Sequence, residues 1–253
     1  MTQHMTHSRQ GEQGFTLVEL AIVMIIIGLL IGGVLKGQEL VTNARVTSQV
    51  NQIKAVDGAI SGFFDQYAAL PGDITTPATR LPNCGAGTFC TGAGDGDNKI
   101  ENNGGVDPSL AAVGATEGGR AFVHLAVAGF FGGVDTSLAA YAAAAIPDLK
   151  SGQGKLTLGH SDGTGANLSL AGGLSAGAYV STRADDLTAL GGANGVMIPK
   201  NARNIDNKLD DGSPNIGTVR SAGAGCASGG AVTDTYVEAT QAAVCNIVAR
   251  VQQ

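Results

Sequence analysis

Apolar residues are distributed unevenly along the chain, and their spacing predicts one long helix near its N-terminal end. Residues 15–35 form an almost uninterrupted apolar run whose only charged residue is Glu19. At about 1.5 Å per residue, a helix of this length crosses the hydrocarbon core of a bilayer. After Lys36, apolar residues recur at helical spacing, which predicts that the helix continues as an amphipathic one. This stripe consists of Leu40, Val41, Ala44, Val50, Ile53, Val56, Ile60, Phe63, Phe64 and Tyr67.

The end of the helix is marked by the sequence Leu-Pro-Gly-Asp at residues 70–73. Proline cannot continue a helix interior and glycine favours turns, so together they are a strong stop signal. No proline precedes Pro71, and we therefore expect one helix from Phe15 to Ala69, about 80 Å long at the standard rise. Its first half would lie in a membrane, and its second half would pack the apolar stripe on a globular domain.

The remaining residues, 71–253, contain no second apolar run long enough to span a membrane. Residues 117–133 predict a short helix in which Phe122, Leu125, Ala126 and Gly129 share a face. The apolar C-terminal segment 242–251 is expected to be buried. Several short segments alternate in polarity or are rich in β-branched residues, which predicts a small antiparallel sheet. They are residues 155–159, 167–173, 177–183, 194–199, 217–221 and 234–239. The expected fold class is therefore α+β, a long N-terminal helix packed on a small, glycine-rich antiparallel sheet.

Composition and charge argue against some functions. The net charge of −6 argues against nucleic-acid binding, which needs a basic face. The four cysteines show no CxxC spacing and have no neighbouring histidine, which disfavours zinc. An even number of cysteines beside an export-type segment favours disulfides, and we expect the local pairs Cys84–Cys90 and Cys226–Cys245. The other pairings, or free buried thiols, are the alternatives.

The N-terminal segment admits three interpretations. A cleavable secretory signal would have a basic start, a shorter apolar core and a small-x-small cleavage site, none of which is present. A plain membrane anchor explains the length but not Glu19, because a carboxylate in hydrocarbon costs about 3 kcal/mol near the centre and less near the edge. The third interpretation rests on the sequence GFTLVE, which begins at Gly14 and leads into the apolar run.

This sequence resembles the N-terminal segment of type IV prepilins and type II secretion pseudopilins. The resemblance implies a leader at residues 1–14, removed by a prepilin peptidase between Gly14 and Phe15, after which Phe15 is N-methylated. It also implies that Glu19 attracts the N-terminal amine of a neighbouring subunit. The expected divisions are then the leader, a membrane or filament-core helix at 15–35, an amphipathic helix at 36–70, and a periplasmic or extracellular domain at 71–253.

Other parts of the chain resemble known proteins more loosely. The sequences ALPGD, GDGDNKIE, RAFVHLAVAGF and DNKLDDG look like a globular domain that recurs behind prepilin leaders. The C-terminal cysteine pair resembles, in position only, the disulfide loop that shapes the exposed surface of pilins. The family also implies the partners: other pilins in a homo- or hetero-polymeric filament, the prepilin peptidase, and an inner-membrane platform with its ATPase.

One acidic segment is a candidate calcium site. Asp95, Asp97 and Glu101 supply carboxylates at short spacing, and oxygen ligands of this kind suit calcium. Pseudopilins of the major class often hold calcium in a loop, so the resemblance supports this interpretation. The segment lacks the glycine and the final glutamate of an EF-hand loop, and the alternative is a solvated acidic turn.

Catalytic motifs are weak, and we expect no enzymatic activity. The sequence GLSAG matches a nucleophile elbow, but all four histidines precede Ser175, contrary to the chain order of that fold. His124 lies in an apolar helix and is expected to be a packing residue. The function expected from the sequence is a structural subunit of a type IV pilus or related filament, held in the inner membrane before assembly. The alternatives are a type II secretion pseudopilin, and a minor pilin or membrane-tethered binding module, with or without a dependence on calcium.

Overall fold

The computed structural model describes residues 14–101, 116–163, 174–184 and 195–251. Segment 167–173, one of the expected strands, lies outside these residues, as does almost all of the expected leader. The chain divides into two compact units, Met1–Ala44 and Arg45–Gln253.

The first element is the expected long helix, α1, at Leu17–Tyr67. It ends at Tyr67, because the next residue, Ala68, has a φ of +47°, in the left-handed region that a helix cannot continue through. Within the first unit its apolar side chains face outward, with Leu17 88% exposed and Leu29 77% exposed. Among the described residues, α1 alone is long and apolar enough to cross a membrane.

The part of α1 within the second unit buries an apolar stripe, as its periodicity predicts. Six of the expected residues are buried there: Val50, Ile53, Val56, Ile60, Phe63 and Tyr67. The buried stripe begins at Val46, whereas Leu40 and Val41, in the first unit, remain more than half exposed. The apolar stripe therefore starts nearer the N-terminus than the first residue of α1 that is buried within this chain.

The rest of the second unit combines short helices with one antiparallel sheet. The helices are α2 at Pro77–Arg80, α3 at Glu117–Val127 and α4 at Pro199–Leu209, and single turns of 3-10 helix lie at Phe89–Thr91 and Ala143–Ala145. The strands are β1 at Lys155–Ser161, β2 at Gly177–Arg183, β3 at Val219–Ala222 and β4 at Asn246–Arg250. Their order in the sheet is β1-β2-β4-β3, and each neighbouring pair is antiparallel.

The α+β prediction is confirmed, but its details need corrections. Three expected strands correspond to β1, β2 and β3, and the buried C-terminal segment supplies β4. Segment 194–199 is not a strand: Met197 forms one isolated bridge with Cys245, and Pro199 then begins α4. The predicted strand at 234–239 is also wrong, since Tyr236 forms only an isolated bridge with Ala227. In both places apolar alternation reflects burial in a loop rather than in a sheet.

Candidate functional site

The start of α1 is capped by three reciprocal hydrogen bonds between Thr16 and Glu19. The backbone N–H and the hydroxyl of Thr16 both donate to Glu19 Oε2, each at 2.9 Å, and the Glu19 N–H donates back to Thr16 Oγ1 at 3.3 Å. This is a capping box, which satisfies backbone donors that the first turn of a helix leaves without partners. Glu19 therefore has a role within its own chain that sequence reasoning missed, although the Thr-x-x-Glu spacing was available as the signal.

The apolar surface that follows Glu19 is large and uncovered within the first unit. Side chains from Phe15 to Val41 are exposed, and Lys36 and Glu39 form an ion pair there, with Nζ and Oε2 2.7 Å apart. Monomeric soluble proteins seldom expose contiguous apolar patches above a few hundred Å². This surface consequently needs lipid or other apolar helices around it.

In the second unit, the stop signal after α1 packs against α3 through His124. The imidazole is fully buried; its Nδ1 accepts a hydrogen bond from the Gly72 N–H at 2.9 Å, and its Nε2 lies 3.0 Å from the Cys90 carbonyl oxygen. Nδ1 must therefore be the acceptor and Nε2 the protonated donor. Gly72 has a φ of +96°, and a Cβ there would overlap the Glu117 carbonyl. Glycine is thus required by both backbone conformation and space.

Next to His124, the acidic segment 94–101 wraps around two buried carboxylates. Asp73 accepts hydrogen bonds from the backbone N–H groups of Gly96 at 2.6 Å and Asn98 at 2.8 Å. Glu117 accepts from those of Asp95 at 3.1 Å and Glu101 at 2.9 Å. We call Asp73, Glu117 and segment 94–101 the acidic junction. Three of the four loosely recognised sequences contribute to it or to the His124 contacts.

The acidic junction differs from the site expected from the sequence. Carboxylate oxygens of Asp73, Asp95 and Glu117 lie within 4.8 Å of one another. Asp97 instead pairs with Lys99, with Oδ2 and Nζ 2.7 Å apart, and Glu101 contributes its backbone N–H. Neither Asp73 nor Glu117 was a candidate, because each lies far in sequence from the acidic run that drew attention.

Burial changes the protonation of the acidic junction. It raises the pKa of Glu117 to about 7, and it raises the pKa of Asp73, against the lowering effect of the backbone donors. The neighbouring carboxylates reinforce both shifts. A group with a raised folded-state pKa stabilises the fold below its unfolded value and loses that contribution as the pH rises. For Glu117 the loss runs from about pH 4.5 through about pH 7.

Comparison with known families bears on the N-terminal segment. Residues 9–35 match the prokaryotic N-terminal methylation motif. The chain carries the type IV prepilin and pseudopilin signature. No curated protein and no solved structure matches the chain. The signature contains Gly14, Phe15 and Glu19, and it is that of structural filament subunits; the apolar part of α1 is compatible with the membrane anchor of such a precursor.

Both of the cysteine pairs that we expected from the sequence form disulfide bonds in the structure. Cys84 joins Cys90 across 6 positions, and Cys226 joins Cys245 across 19. The first closes the loop whose Cys90 carbonyl meets His124, and the second ties the start of β4 to the preceding glycine-rich loop. Closing the longer loop removes more entropy from the unfolded chain.

Calcium binding remains a prediction that a simple measurement tests. If a cation occupies the acidic junction, calcium should raise the melting temperature of the chain, and more so at pH 8 than at pH 5, because its ligands must be deprotonated. Glu117→Gln should abolish this rise, whereas Asp135→Asn, at an exposed residue outside the carboxylate clusters, should preserve it. An unchanged melting temperature in excess calcium would favour the solvated acidic turn.

Proposed function

We propose that this chain is a structural subunit of a type IV pilus or related filament, made as a prepilin and assembled through its N-terminal helix. The observation that carries the proposal is the match to the methylation motif at residues 9–35, whose apolar part forms an uncovered helix. A prepilin peptidase would cut after Gly14, and the new terminus at Phe15 would be methylated. The partners would be other pilins and an inner-membrane platform with its ATPase.

The same segment supports a location for the protein. Before assembly, residues 15–35 would span the inner membrane once, and the domain formed by residues 71–253 would lie in the periplasm. During assembly the helix would leave the lipid and enter a bundle of identical or related helices. Burial of apolar area, at about 25 cal/mol per Å², stabilises both states, so the helix can exchange one apolar environment for another. Repeated head-to-tail contacts that do not close produce a helical filament.

Glu19 would give the bundle its register. Apolar contacts are not directional, but a carboxylate and an ammonium attract far more strongly inside a bundle than in water. An unpaired buried charge is costly, so a displaced subunit is penalised. Cleavage after Gly14 creates the required ammonium at Phe15, and the capping box already holds the Glu19 carboxylate beside the Thr16 backbone N–H. The geometry supports a contact in which a neighbour's terminus approaches this turn.

Processing is tested by changing the residue before the cleavage point. Gly14→Val should leave the precursor uncut, giving a mature mass larger by residues 1–14 in intact-protein mass spectrometry. A Cβ at Gly14 meets no atom within 4 Å, so the substitution does not disturb the folded chain. Gly37→Val, at another glycine of the same unit with open space around it, is the matched control and should be processed normally. Normal processing of Gly14→Val would place the cleavage site elsewhere.

A further inference from the structure

A cleft of about 380 Å³ lies in the second unit, between α1, the turn after Ile146–Leu149 and the start of α4. One side of the cleft is apolar, with Val46, Met197 and Ile205 among its lining residues. The other carries Arg45, Gln49, Ser151 and Asn201, and none of the described residues that line it is acidic. The cleft therefore offers an apolar wall opposite hydrogen-bond donors and one permanent cation.

Gln49 is the informative residue of this cleft. Its side chain is fully buried, and its Oε1 accepts a hydrogen bond from the Ser151 N–H at 3.3 Å. Its Nε2 donor has no hydrogen-bond partner among the described residues, and neither has the buried Ser151 Oγ. A buried donor without an acceptor costs about 1–3 kcal/mol, so such groups call for an explanation.

Gln52, one helical turn further along α1, provides an internal comparison. Its Nε2 donates to the Asp148 carbonyl at 2.8 Å, and its Oε1 accepts from the Lys150 N–H at 2.9 Å. Gln52 thus uses both ends of its amide to hold the turn at 148–151 against α1. Gln49 holds the same turn with its oxygen alone, and its donor is not needed for that attachment.

We propose that this cleft binds a carboxylate carried on an apolar body. Because neither donor atom has accessible surface, the Gln49 and Ser151 side chains rotate toward the cleft on binding, and the carboxylate then accepts hydrogen bonds from Gln49 Nε2 and Ser151 Oγ. Arg45 neutralises its charge, while the apolar body packs against Met197 and Ile205. Charge-assisted bonds of this type are stronger than neutral ones, and an all-acceptor group matches the donors of Gln49 and Ser151 that lack partners. The same chemistry is supplied by a small organic acid and by the end of a peptide chain that finishes in an apolar residue. This inference goes beyond filament assembly and does not depend on it.

The test is a titration of the full-length chain in detergent micelles, labelled with ¹⁵N at glutamine. The probes are hexanoate and the dipeptide acetyl-Ala-Leu with a free carboxylate, each compared with its uncharged amide. We expect both acids to shift the side-chain amide resonance of Gln49 saturably and to leave that of Gln52 unchanged. Tighter binding of hexanoate identifies a small acid as the ligand class, and tighter binding of the dipeptide identifies a chain end.

Two variants distinguish binding from folding. Gln49→Glu replaces the donor with an anion and should abolish the titration. Because this position is buried, Arg45→Gln, at an exposed residue, provides a variant that leaves the fold intact; it should weaken binding of the acids at least about tenfold. Equal binding of the amides, no saturable shift with either acid, or unchanged affinity in Arg45→Gln would each overturn the proposal.

Discussion

Replacing Glu19 by valine should leave the chain inserted in the membrane and reduce filament assembly to a small fraction of the wild-type yield. Valine suits the apolar run, so insertion becomes no less favourable. The variant loses the attraction that we assign to the neighbour's Phe15 terminus, and with it the penalty on wrong registers. Yield is measured by shearing filaments from cells and quantifying this chain in the sheared and membrane fractions.

The capping box makes sharper variants available for this experiment. Glu19→Gln removes the charge but can still accept the Thr16 hydrogen bonds, because glutamine serves in capping boxes as well as glutamate. Thr16→Ala retains the charge and loses the hydroxyl of the cap, at a cost of about 1 kcal/mol. If the charge sets the register, Glu19→Gln should assemble as poorly as Glu19→Val, and Thr16→Ala should assemble well. The reverse order would assign Glu19 to helix capping alone.

Replacing His124 by alanine should destabilise the second unit by about 3–5 kcal/mol. The variant leaves the Gly72 N–H and the Cys90 carbonyl without their partner and opens a cavity at a fully buried position. A loss of this size is a large part of the 5–15 kcal/mol that usually holds a domain folded. It is measured by urea unfolding of the detergent-solubilised chain. His160→Ala is the matched control, because His160 is only half-buried and its Nδ1 has no partner among the described residues.

The effect of His124 should also depend on pH in a defined direction. Burial lowers the pKa of His124 to about 4 from its ordinary value of 6.5. A depressed histidine pKa contributes stability that is complete above pH 6.5 and is lost as the pH falls through 4. The difference between wild type and His124→Ala should therefore be larger at pH 7 than at pH 4.5. Taking the difference removes the opposite trends of Glu117 and Asp206, whose raised pKa values stabilise the fold at lower pH. A difference independent of pH would show that the imidazole is not held neutral.

The elements that the sequence predicted are those whose signal is local. The stripe from Val50 to Tyr67 identified α1 because helical spacing persists over many turns. The helix α4 was missed because Pro199, Ala202, Ile205 and Asp206 are its only buried residues, too few to form a visible stripe. Its signal was Pro199 at the first helical position.

The candidate sites, too, could be predicted only where their residues are close together in the sequence. Gly14, Phe15 and Glu19 form one short motif and could be read directly. Asp73 and Glu117 meet only because the turn after α1 packs on α3, a contact that no spacing along the chain reveals. The unpartnered Nε2 donor of Gln49 could not be predicted either, since its lack of a partner depends on the path of the turn at Ser151.

The central claim is that this chain is cut after Gly14 and enters a filament through the helix that begins at Phe15. Mass spectrometry of this chain, recovered from sheared filaments, tests it most directly. We predict an N-terminal peptide that begins at Phe15, carries one methyl group on its amine and contains no residue of segment 1–14. Recovery only from membranes, with the N-terminal segment uncut and the terminus unmethylated, would contradict the claim.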